Sequence, residues 1–145
     1  MRLSILICTM PSRSEMLKKL TQQLRLLLGK YDESQWEVLI QPDENINVGR
    51  KRNILLQKAS GDFVVFIDDD DEIHDNYIDA FMIAIDSNPD ADCIGYRGYI
   101  TFDGTSRKDW VISKECETWH EKDGVYYRTP NHISPVKRSI AMQVM

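Results

Sequence analysis

The chain has 145 residues, 42% of them hydrophobic and 28% charged, which suits one soluble globular domain and is too short for two comfortable ones. With 18 basic and 23 acidic side chains the net charge is −5, without the basic excess that broad nucleic-acid binding needs. Cys8, Cys93 and Cys116 are odd in number, far apart and not in zinc-type spacing, so they read as reduced thiols of a cytosolic protein.

No apolar run approaches the ~20 residues of a membrane helix. The opening MRLSILICTMPSR is too briefly apolar for a secretory signal and lacks a small-residue cleavage site, so it reads as a first strand. LSILICT (3–9) is apolar without alternation, the pattern of a strand buried on both faces. Residues 13–28 carry Met16, Leu17, Leu20, Leu24 and Leu28 at helical spacing, and Gly29 closes that helix. WEVLIQ (36–41) is a second strand, ending at Pro42-Asp43. A second helix follows Asn47-Val48-Gly49, with Ile54, Leu55 and Ala59 on one side and Gly61 as its stop. FVVFI (63–67) is a third buried strand. The segment 75–87 puts Ile78, Phe81, Met82 and Ile85 on one helical face, with Asp75 as N-cap. Strand and helix alternate three times, the signature of an α/β domain with a mostly parallel sheet.

Beyond Pro89 the pattern becomes antiparallel: residues 92–114 read as a hairpin turning at Asp103-Gly104. An aromatic-rich extended stretch, GVYYRTPNHISPVKR, follows, and RSIAMQVM opens a helix. Trp110, Trp119, Tyr126 and Tyr127 fit either hairpin packing, the default, or stacking on a sugar.

In GDFVVFIDDDDE the third strand runs straight into Asp68, Asp69, Asp70, Asp71 and Glu72. Ligands of open α/β sheets collect at the carboxyl ends of strands. Carboxylate oxygens there suit Mg²⁺ or Mn²⁺, which keep coordination positions open for a diphosphate. A solvated acidic loop is the plain alternative. An EF-hand fits poorly, because Ile73 stands where that loop needs glycine and a strand leads in where a helix should. Arg50, Lys51 and Arg52 supply a local positive counterpart.

Three further stretches accompany this cluster. LSILICT runs into Met10-Pro11-Ser12-Arg13; Asn47-Val48-Gly49-Arg50-Lys51-Arg52-Asn53 has the form N-x-G-x-x-R-N; the strand ending in D-x-D follows it. In order and spacing the set resembles the family 2 glycosyltransferases, clearly over about residues 3–88 and more loosely to 138. The resemblance implies a GT-A-like, Rossmann-like α/β fold in one domain, with residues 1–88 as donor half and 89–145 as a partial acceptor half. It implies metal-dependent, inverting transfer of a sugar from a nucleotide donor, UDP favoured, to a saccharide, lipid-linked or protein hydroxyl. Carried over residue by residue, Thr9 and Arg13 border the base and phosphates, and Asp43 accepts a hydrogen bond from the base. Gly49 lets the backbone turn close to the ligand, while Arg52 offers a fixed positive fork. Asp68 and Asp69 face the ribose, and Asp70, with Asp68, holds Mn²⁺ or Mg²⁺. Asp71 is a supporting acid at the helix start. His132 is read as an ordinary loop residue, with metal ligation as the alternative.

The family's Glu-Asp element, which carries the general base, has no match after residue 138, so the catalytic base is unassigned and the chain reads as truncated. Asp103 and Glu121 have no warrant as substitutes. A nucleotide-sugar-binding fragment without turnover is therefore one rival. A haloacid dehalogenase-like phosphohydrolase is another, although its D-x-D follows the first strand and wants Thr or Val where Glu72 stands. A nucleotidyltransferase would need a Gly-rich, Arg-containing loop that Met10 to Arg13 does not provide.

Overall fold

In a computed structural model describing residues 1–102 and 104–144, the alternation becomes one mainly parallel sheet with a second four-stranded sheet beside it. Strand β1 (Leu3–Cys8) lies between β2 (Trp36–Gln41) and β3 (Phe63–Phe66), parallel to both, with Leu3 opposite Trp36 on one side and Phe63 on the other. A short β8 (Val136–Lys137) adds antiparallel to β3, giving the order β2-β1-β3-β8. The first three strands lie where the sequence places them to within a residue, and β8 comes from the extended stretch near the end of the chain.

The apolar run of β1, broken only by the buried Ser4, has a simple cause. Leu3, Ile5 and Ile7 point into a core shared with Leu20, Leu24 and Leu28 and with Ile78, Phe81, Met82 and Ile85. Leu6 points the opposite way, to Leu55, Leu56, Ala59 and Val64. A strand with helices on both faces has no polar side to show. Full burial of each leucine contributes about 1.5–3 kcal/mol.

Helix α1 (Ser14–Leu28) buries Leu20, Leu24 and Leu28, but Met16 is exposed, against expectation. Steps of four residues over-rotate by about 40° each, so three turns back the stripe has left the core and Leu17 takes that place. Gly29 caps α1 in ordinary right-handed geometry, φ −62°, its N–H donating to the Arg25 carbonyl. Helix α2 (Val48–Lys58) starts at Asn47, whose side chain accepts from the Arg50 N–H at 2.9 Å. Of its expected inner face Leu55 is buried, as is Ala59 just beyond the helix, while Ile54 is only partly buried and Lys51 and Leu56 join the buried side. Helix α3 (Tyr77–Ser87) buries its four expected residues, but Asp75 is not its cap. Asn76 holds that position and uses its side chain on His74 Nδ1 instead, at 2.7 Å.

The second sheet contains β4 (Arg97–Phe102), β5 (Ser106–Ile112), β6 (His120–Lys122) and β7 (Val125–Arg128), in the order β4-β5-β7-β6. The expected hairpin is present. Asp103 of its turn lies outside the described residues, while Gly104 has φ +72° and the Thr105 N–H donates to the Phe102 carbonyl. Trp110 takes the packing role, buried opposite Gly98, where any Cβ would sit 2.3 Å from the indole. An aromatic seam, Tyr77–Phe81–Tyr96–Trp110, with centroids 4.4, 5.2 and 5.1 Å apart, fastens this sheet to α3. The RSIAMQVM expectation is met by α4 (Arg138–Ala141) and a 3₁₀ turn over Met142–Val144. Among the described residues no helix is long and apolar enough to cross a membrane.

Candidate functional site

Because β1, β2 and β3 are parallel, residues following them share one rim of the sheet. Thr9 follows β1, its N–H donating to the Gln41 carbonyl of β2 at 3.0 Å. The chain then makes a 3₁₀ turn over Pro11–Arg13, with proline in its first turn where no N–H is needed. The turn carries Arg13 to the end of β3, where pairing persists through the Ile67 N–H to the Leu6 carbonyl. Asp68 to Asp71 then form their own turn, with the Asp71 N–H donating to the Asp68 carbonyl at 3.0 Å.

The acids divide by environment. Asp69 is buried: one oxygen accepts from the Thr9 hydroxyl at 2.6 Å and the other lies 2.8 Å from an Arg13 nitrogen. The same Arg13 nitrogen is 2.5 Å from Asp70. Asp68 faces His132 Nε2 at 3.4 Å and an Arg52 nitrogen at 3.8 Å. Side-chain exposure is 48% for Asp68 and 55% for Asp70 against 1% for Asp69, so the first two remain open to a ligand and the third is an internal brace. The hydrogen bond from His132 holds the Asp68 carboxyl below the usual range against its partial burial, helped by the charges of His132, Arg52 and Arg13. Partial desolvation, then the charge of Asp68, pushes Asp71 up to about 6. Two arginines, a histidine and a readily held proton thus make four consecutive carboxylates tolerable.

Two members of the site have no counterpart among the expected binding residues. Lys51 is buried and donates from Nζ to the Thr9 carbonyl at 2.6 Å, bracing the rim from beneath. Its place four residues before Leu55, on the core face of α2, is the signal that betrays it. His132 arrives from the far end of the chain because its carbonyl accepts from the Phe66 N–H at 3.1 Å, which sets the ring beside Asp68. The Arg52 guanidinium is steadied over the Phe66 ring, 5.5 Å from its centroid. Cys8, partly buried between these groups, has its thiol pushed up by burial, with Arg52 and Lys51 opposing.

Thr9, Arg13, Arg52, Asp68, Asp69 and Asp70 are therefore brought together as the sequence suggested. Asp69 departs from its expected role: it turns inward onto Thr9 and Arg13 instead of facing a ligand. Asp43 sits at the same end of β2, but its carboxylate closes a local turn by accepting from the Asn45 N–H at 2.9 Å. Gly49 lies within the first turn of α2 in helical geometry, so the special backbone turn expected there is absent. A Cβ would touch only Asn47 Oδ1, at 3.4 Å. Among the described residues no three His, Cys, Asp or Glu side chains form a group that could hold a metal ion unaided.

The sequence pattern of glycosyl transferase family 2 matches residues 11–144. The chain belongs to this family. Solved structures with the same fold include Staphylococcus aureus TarS 1–349, at TM-score 0.60 and 12% identity over 99% of this chain and 49% of that one. The TarS 1–349 complex with UDP-GlcNAc gives TM-score 0.52 and 21% identity over 64% and 33%; the complex with UDP gives the same score and identity over 64% and 34%. This chain thus spans between a third and a half of those TarS chains. Among curated proteins none matches. As a family 2 member of GT-A architecture the chain is not a haloacid dehalogenase, and its aspartate cluster follows the third strand rather than the first.

Proposed function

We propose that the rim binds the diphosphate of a nucleotide sugar together with Mn²⁺ or Mg²⁺, as the donor half of a sugar transfer reaction. The observation that carries this is the division of the acids: Asp68 and Asp70 open to solvent, Asp69 buried beneath them, Arg13 and Arg52 alongside. The donor set fits a hard divalent cation, since Asp68 and Asp70 offer only carboxylate oxygens, and too few to enclose it. Such an ion, when bound, would offset the charge that grows on the departing diphosphate. Arg13 and Arg52 would add fixed positive charge there, and Thr9, Asp69 and Lys51 would keep the arginine-bearing turn in place. Asp43, beyond β2, and Gly49, at the start of α2, would border the base. UDP is the favoured nucleotide, a reading supported by the TarS structures with UDP-GlcNAc and UDP.

In the reaction an acceptor hydroxyl oxygen attacks the anomeric carbon, and the bond to the diphosphate breaks on the opposite face, inverting the centre. The acceptor is a saccharide, lipid-linked or protein hydroxyl, met by a cytosolic enzyme. Residues 1–88 form the donor half and residues 89–145 part of the acceptor half. No general base is assigned: Glu121 is committed to Lys108 on the second sheet. With no base assigned, a nucleotide-sugar-binding unit without turnover is the second reading. Incubating the chain with UDP- and GDP-sugars, Mn²⁺ and simple glycoside acceptors separates the two. Nucleotide release that needs both metal and acceptor is expected of a transferase; binding without release selects the second reading, and no binding at all ends both.

A further inference from the structure

We propose that Trp119, Tyr126 and Arg128 form an acceptor subsite for a saccharide carrying an anionic group, phosphate or carboxylate. Parallel pairing of β5 and β7 sets Trp110 opposite Tyr126 and Ile112 opposite Arg128, so Trp110, Tyr126 and Arg128 point to one face of the second sheet. The Arg128 guanidinium lies 5.1 Å from the ring centroid of Trp119, 5.8 Å from Tyr126 and 5.9 Å from Trp110. Three negative ring faces orient that cation without consuming its N–H groups.

Among the described residues Arg128 forms no ion pair and its side chain donates no hydrogen bond. The neighbouring charges, Lys108 and Glu121, satisfy each other. What is left is an oriented, partly exposed positive fork with no counter-charge, the group best suited to a phosphate or carboxylate. Trp119 supplies the sugar-binding half. Its indole is 61% exposed, yet held in place by Nε1–H donation to Thr129 Oγ1 at 2.9 Å, which leaves a ring face open to the C–H face of a pyranose.

Position links this cluster to the donor rim. Arg128 is four residues before His132, whose ring meets Asp68, so their Cα atoms are separated by no more than about 14 Å. The acceptor role therefore rests on the transferase reading, but binding to the cluster does not need a donor.

The test is NMR titration of the chain, without nucleotide, using N-acetylglucosamine 6-phosphate, glucuronic acid, N-acetylglucosamine and inorganic phosphate. The Trp119 indole and Arg128 Nε resonances are followed, and a separate UDP titration reports the donor site. The expected result is saturable movement of both resonances by an anionic sugar, at least about tenfold tighter than by the neutral sugar or by phosphate alone. The two anionic sugars distinguish phosphate from carboxylate. Arg128→Gln should lose that preference, Arg128→Lys should recover part of it, and Trp119→Ala should weaken all sugars. Equal affinity for neutral and anionic sugars, equal affinity for phosphate alone, or no movement of these resonances overturns the proposal. Absent UDP binding with intact anionic-sugar binding would sink the donor reading alone.

Discussion

Asp69→Ala should destabilise the fold by about 3 kcal/mol, read as a lower denaturant midpoint at unchanged slope. The substitution leaves the Thr9 hydroxyl without its acceptor and strips one carboxylate from Arg13. Breaking a buried pair by deleting one partner costs about 3–5 kcal/mol. Arg13 is one-third exposed and keeps Asp70, which puts the loss at the lower end. Asp69→Asn retains an acceptor for Thr9 and gives up only the charge, so it should cost about half as much. If Asp69→Ala unfolds at the wild-type midpoint, Asp69 is not the brace beneath the loop.

Gly61→Ala should be at least as damaging, lowering Tm by roughly 10 °C or more. A Cβ built there falls 2.6 Å from the Ser4 nitrogen and 2.8 Å from the Leu3 carbonyl carbon, both backbone atoms of β1. That strand is paired on both edges and cannot retreat. The displacement would also part the Gly61 N–H from Ser4 Oγ, now 2.8 Å away, and disturb Glu37, which accepts from the hydroxyls of Ser4 and Ser60. The contrasting case is Gly49→Ala, which meets no backbone and gains helix propensity, so it should leave Tm unchanged or raise it. A Tm for Gly61→Ala within a few degrees of wild type would mean that β1 yields where its pairing says it cannot.

These two glycines show what a single sequence discloses. Both stand in stretches that match the family pattern, yet only the contact with β1 reveals that Gly61 is sterically required. The strands were legible because burial on both faces writes itself as an apolar run, complete in FVVF and broken only by Ser4 in LSILIC. Helix faces were legible to within one position: Met16 drifted off the stripe, and Lys51 was hidden in a basic triplet although its spacing from Leu55 marks it as inward. Asp75 was a sound capping residue that the local turn passed over in favour of Asn76.

At the rim, residue types could be read and pairings could not. Thr9 and Asp69 are 60 positions apart, and His132 and Asp68 are 64 apart. No local pattern says which of four adjacent aspartates will turn inward, because that depends on where β1 delivers a hydroxyl and an arginine. The same limit applies on the second sheet, where only the folded chain shows that Trp110, opposite Gly98, packs inward while Trp119 stays open.

The most direct test of the donor site is calorimetric titration of UDP, with and without Mn²⁺, on the chain and on Asp70→Ala. Mn²⁺ should raise UDP affinity in the native chain, and Asp70→Ala should abolish that gain, a loss on the order of 100-fold or about 2.8 kcal/mol. Affinity indifferent to Mn²⁺, or equal in the variant and the native chain, would contradict a cation held between these acids and a diphosphate.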